Sequence, residues 1–77
     1  MPPVDRAAIA AEVRAEVARR KYTQRDVADI LGLPQPSVQL RLAGRRSFRA
    51  EELVALAEAF DVPLTRFVPS AVNRAAA

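Results

Sequence analysis

Three side chains able to read the edge of a nucleic-acid base stand together in mid-sequence: Gln35, Ser37 and Gln39, with Pro36 and Leu40 interleaved. A carboxamide sets a donor beside an acceptor, which matches the major-groove edge of adenine, and an apolar side chain matches the methyl of thymine. Gln35, Ser37 and Gln39 suit the first task, and Leu40 the second. Taken alone, the same residues would also suit an ordinary surface with one stray leucine. The groups around them favour the first reading. Arg41, Arg45 and Arg46 follow the run, and Thr23 and Gln24 precede it by about one short helix and a turn. Guanidinium, amide and hydroxyl groups at the borders of a base-reading face are what hold phosphates, fixing register without reading sequence.

The residue types that are missing narrow the chemistry. The 77-residue chain contains no histidine and no cysteine. The usual general base, the commonest transition-metal ligand, the zinc-thiolate site and the disulfide framework are therefore all excluded. At this length folding buries only about 60% of the unfolded chain's surface, so one small core is expected and an enclosed substrate cavity is not. No catalytic residue, metal ligand, cofactor site or small-molecule substrate is assigned. No uninterrupted apolar run approaches the ~18 residues of a membrane span, and Met1 to Asp5 lack the basic-then-apolar pattern of a signal peptide. A soluble, cytoplasmic protein is the expectation.

Net charge is only +3, but it is segregated. Between Arg19 and Arg49 lie eight basic residues (Arg19, Arg20, Lys21, Arg25, Arg41, Arg45, Arg46 and Arg49) against Asp26 and Asp29, a net +6. Both flanks are acidic on balance. Such a pattern is the footprint of a polyanion-binding face, although a solvated charge run explains many single clusters. Lys21 is the only lysine; this arginine bias suits phosphate and is also what GC-rich coding produces.

Capping and periodicity supply the elements that must position these groups. Asp5 caps a helix through about Arg20, with Ile9, Val13 and Val17 recurring every four residues. Thr23 and Asp26 make a capping box with the shorter acid, ahead of an apolar face of Val27, Ala28, Ile30 and Leu31, and Gly32 stops this second helix. Pro34 and Pro36 are tolerated only at a helix entrance and first turn, so a third helix is expected from Gln35 to Gly44. At 100° per residue, placing Val38 and Leu42 inward turns Pro36, Gln39, Leu40 and Ala43 outward, with Gln35 and Ser37 at the margins. Glu51 and Glu52 open a fourth helix with the stripe Leu53, Leu56, Ala57, Phe60. Asp61 ends it, Pro63 starts a short fifth helix carrying Leu64, Phe67 and Val68, and Pro69 closes the domain. Tyr22 is expected at the corner between helices one and two, and Phe48, Phe60 and Phe67 in the core.

The stretch from Thr23 to Leu42 resembles the helix-turn-helix of the Cro and lambda-repressor-like family. The matching residues are Gln24, the Val27-Ala28 pair, Gly32 at the turn and Val38 beyond it. The resemblance extends over roughly Val13 to Val68, through Gly44-Arg45-Arg46, Leu53-Val54-Ala55-Leu56-Ala57 and Phe60-Asp61-Val62-Pro63. The run Val38 to Gly44 is similar to a subgroup common in actinobacteria and their phages. Three positions depart from the family pattern: Asp61 replaces a usual Gly, Arg49 a capping Ser, and Leu40 a polar residue.

The resemblance implies an all-α, compact five-helix lambda-repressor-like domain over residues 1–69, with the helix-turn-helix at 23–43 and a flexible tail at 70–77. It further implies a sequence-specific regulator of transcription on double-stranded DNA, acting as a repressor by blocking polymerase, with Gln24 clamping the DNA backbone or buttressing Gln35. One such domain makes few base contacts, so a homodimer on a pseudo-palindromic operator is expected. Leu64, Phe67, Val68 and Val72 are the candidate dimer patch. Two rivals remain: an antitoxin or adaptor using the same helices to hold another protein, and a basic peripheral membrane binder. The second is disfavoured because basic and apolar faces do not combine in one long amphipathic helix.

Overall fold

The computed structural model describes residues 5–68. Four α-helices and one 3-10 turn follow in order: α1 (Arg6–Arg19), α2 (Gln24–Leu31), α3 (Gln35–Leu42), α4 (Ala50–Phe60) and the turn Leu64–Phe67. The fold is all-helical, and the expected fifth helix is this single 3-10 turn, closed by the Arg66 amide donating to the Pro63 carbonyl at 2.9 Å. Pro69, Val72 and the proposed tail 70–77 lie outside the described residues. Among those residues, no helix is long and apolar enough to cross a membrane.

The helix boundaries follow from local chemistry. Asp5 Oδ1 accepts from the Ala8 amide at 2.8 Å, satisfying one of the free donors of α1. Thr23 and Asp26 make the full reciprocal box at α2: the Asp26 amide donates to Thr23 Oγ1 (3.1 Å), and the Thr23 amide to Asp26 Oδ2 (2.7 Å). Gly32 then adopts φ +66°, the left-handed conformation that ends α2. Helix α3 stops at Leu42 rather than running on to Gly44, because the amide of Arg45 turns back to the Leu40 carbonyl (2.9 Å). Asp61 sits at φ +56° after α4, which explains why glycine is the usual residue there. Arg49 precedes α4 without a side-chain cap; Glu52 Oε1 accepts the Arg49 amide at 2.9 Å instead.

Packing places α2 against both α3 and α4, α1 against α3, and the 3-10 turn across α1 and α4. Val13, Val27, Val38, Leu56 and Phe67 are fully enclosed, with Ala28, Leu42, Phe48, Leu53, Ala57 and Phe60 around them. Ala28 on α2 is small and buried, as a close crossing of α2 with its neighbours requires. Tyr22 stands edge-on to Phe60 with ring centroids 5.3 Å apart, at the corner expected for it. Phe67, expected in both the core and the dimer patch, belongs to the core alone; Leu64 remains exposed and Val68 half-buried.

Candidate nucleic-acid interface

Helix α3 is anchored from below by Val38 and Leu42, and that rotation decides what the solvent meets. Gln35, Pro36, Gln39 and Ala43 are exposed, and Ser37 and Leu40 are half-buried. The uncharged face of α3 therefore points away from the hydrophobic interior. Pro36 occupies the first turn, where an amide would have no helical partner, so it stiffens the entrance without removing a bond. Arg45 and Arg46 are exposed immediately beyond α3, and Thr23 and Gln24 are exposed at the start of α2.

Arg41 is a correction. Expected at the rim as a phosphate contact, it is buried, with 7% of its surface exposed. Its Nε donates to Glu52 Oε1 at 2.9 Å and its Nη1 to the Ser37 carbonyl at 3.2 Å. Glu52 is also buried and accepts the Arg49 amide through the same oxygen, so one carboxylate ties α3, the connecting loop and the start of α4 together. A buried charge is retained only where it is paired and hydrogen-bonded, and both conditions hold.

The basic central segment also divides on inspection of its partners. Glu16 of α1 is 1% exposed and faces Arg19, Arg20 and Arg66. Arg20 reaches further: it donates from Nη2 to the Phe60 carbonyl (2.7 Å) and lies over the Phe60 ring, 5.4 Å from its centroid. Burial on its own raises the Glu16 pKa, but the Arg19 hydrogen bond and the charges of Arg19, Arg20 and Arg66 outweigh it, holding the carboxyl below its ordinary value. Arg19, Arg20 and Arg41 are thus engaged in structure. Among the described residues, Lys21, Arg25, Arg45, Arg46 and Arg49 form no ion pair.

One exposed cation near α3 was not singled out from the sequence. Arg14 of α1 donates from Nη1 to the Leu42 carbonyl at the end of α3. It lines a shallow open groove with Gln24, Gln39, Leu42 and Ala43, so residues from three helices meet at the edge of the uncharged face. It lies one and two turns along α1 from Ala10 and Ala7, which face Gly44, so its approach to α3 arises only when the helices pack.

A helix-turn-helix family model matches residues 13–67, most of the chain and all of α2 and α3. The chain belongs to the helix-turn-helix family of the Cro/C1 type. Two crystal structures of the clp gene regulator ClgR from Corynebacterium glutamicum share the fold of this family member. The first superposes with a TM-score of 0.78 at 20% identity, covering 95% of each chain. The second gives 0.76 at 22% identity, covering 96% of this chain and 83% of the other. No curated protein sequence matches the chain. The two helices of the motif are α2 and α3, joined through Gly32.

Proposed function

We propose that this helix-turn-helix protein is a sequence-specific regulator of transcription that lays α3 in the major groove of double-stranded DNA. The observation that carries the reading is the outward, uncharged face of α3. Gln35, Ser37 and Gln39 present amides and a hydroxyl to base edges, Leu40 and Pro36 give apolar contact, and Gln24, Thr23, Arg45 and Arg46 hold phosphates at its borders. Arg41 acts behind the face, fixing the pitch of α3 against α4. Likeness in fold to a gene regulator supports the same reading. Binding in front of a promoter would exclude polymerase, making repression the simplest consequence, and the target places the protein with the nucleoid in the cytoplasm.

A single copy offers few base contacts, so two copies on a pseudo-palindrome, with recognition helices about 34–36 Å apart, are expected to give useful affinity. Leu64 is exposed on the 3-10 turn and Val68 half-buried just after it, which leaves apolar surface for that pairing. Selection from a random duplex library, followed by titration of the recovered sequence at several salt concentrations, tests the proposal. A motif should emerge, and affinity should fall steeply with salt as phosphate contacts release counterions. Weak binding without a motif would favour the antitoxin or adaptor role; binding flat with salt would remove DNA altogether.

A further inference from the structure

Arg14 combines an anchored guanidinium with an exposed position. Its Nη1 is fixed on the Leu42 carbonyl, yet the residue as a whole is exposed. Guanidinium has five N–H donors, so the fork is held by one end while others remain free toward the groove. The carbonyl it uses is at the C-terminus of α3, where the partial negative charge of the helix end favours a cation. A side chain anchored in this way loses less rotamer freedom when it binds than a free surface arginine does.

The surroundings define the ligand. Gln24, first residue of α2, and Gln39, on the outward face of α3, line the same groove, and among the described residues no carboxylate does. A second groove, between α2 and α4, is lined by Tyr22, Ile30 and Ala59 but also by Asp26 and Asp29, which would repel an anion. Ala7, two turns before Arg14 on the same helix, lies against Gly44: a Cβ placed there would stand 3.3 Å from the Ala7 Cα. That contact brings the Arg45-Arg46 turn to the side of the molecule that carries Arg14.

We propose that Arg14 is a further DNA contact, a phosphate-binding residue on α1 that seats one sugar-phosphate strand in the groove between Gln24 and Gln39. The inference rests on the reading of α3 as the DNA-facing helix. A phosphodiester oxygen would take the free N–H groups of Arg14, with the Gln24 amide as a neighbouring donor and Arg45 and Arg46 continuing the line. The contact sets register and carries no sequence preference.

The test compares the parent chain with Arg14→Gln and Arg14→Lys on the selected duplex and on a mixed-sequence duplex of similar length. Glutamine keeps a donor for the Leu42 carbonyl and removes the charge; lysine keeps the charge. Loss of one phosphate contact lowers the slope of log K against log salt by about 0.9, so the deficit of Arg14→Gln should shrink about 3.5-fold from roughly 50 to 200 mM salt. Arg14→Lys should keep the parent slope, and neither variant should change the preferred motif. Equal slopes for the parent and Arg14→Gln would overturn the assignment while leaving DNA binding intact. A parent chain without salt-dependent binding would remove both. Should Arg14→Gln melt too low to assay, arginine-directed modification of the parent chain decides: Arg14 protected by duplex supports the contact, and undiminished modification overturns it.

Discussion

Replacing Arg41 with methionine separates a structural arginine from a DNA-contacting one. The substitution keeps an unbranched apolar stem and deletes two bonds, to Glu52 Oε1 at 2.9 Å and to the Ser37 carbonyl at 3.2 Å. Glu52 is then left as a carboxylate 8% exposed with the Arg49 amide as its remaining donor. Removing one partner of a buried pair costs about 3–5 kcal/mol, and the surviving amide bond puts this case near the lower end, at about 3 kcal/mol. For a domain of this size each kcal/mol lowers Tm by about 4–8 °C, so a fall of about 12–24 °C is expected in a thermal melt followed by circular dichroism. The double variant Arg41→Met/Glu52→Leu removes both charges and one helix-end acceptor. Exchanging a buried pair for apolar residues is often neutral or better, and the lost acceptor costs about 1 kcal/mol, so most of the stability should return. The salt dependence of DNA binding should be the same in parent and double variant. A single variant that melts within a few degrees of the parent, and whose salt slope drops by about 0.9, would refute the reasoning and return Arg41 to the phosphates.

Three further outcomes are expected. Gln35→Ala should cost about 1–3 kcal/mol of binding and relax preference at particular base pairs, whereas Arg46→Ala should weaken all sequences alike; uniform loss in both would show the readout to be misassigned. Because the Glu16 carboxyl is held below its ordinary value in the folded state, the unfolded chain binds more protons, so its stabilising contribution is complete above the ordinary glutamate range and is lost as pH falls through and below it. Glu16→Gln should therefore lower Tm at neutral pH and flatten the decline seen on acidification; an unchanged acid limb would contradict the clamp by Arg19, Arg20 and Arg66. Gly32→Ala and Gly44→Ala both force a left-handed alanine at about 1–2 kcal/mol, but only Gly44 also meets α1, so Gly44→Ala should be the more damaging in urea unfolding.

Local signals made much of the fold legible. The Thr23–Asp26 box, Gly32, the two prolines and the stripe Leu53, Leu56, Ala57, Phe60 act within one or two turns, and their helices appear where those signals put them. The outward face of α3 was legible for the same reason, since Val38 and Leu42 both demand burial and the rotation of an eight-residue helix follows from two anchors. The fifth helix was legible as an apolar cover after Pro63, but not as a 3-10 turn, because four residues provide too little periodicity to distinguish the two.

The charged side chains were another matter. Arg41 lies three residues after Val38, about 60° around α3 from it and thus at the margin of the inward face. The amino-acid sequence determined that marginal position; only the arrival of α4, with Glu52 eleven residues further on, decided that the guanidinium turns inward. The same holds for Arg14 with Leu42, Arg20 with Phe60 and Arg66 with Glu16, which are 28, 40 and 50 residues apart. Helix starts, stops and apolar stripes arise from neighbours along the chain and can be read there. Partners for long, flexible cations depend on how helices pack, so tertiary structure alone divided the arginines that hold this protein together from those left exposed without an ion pair.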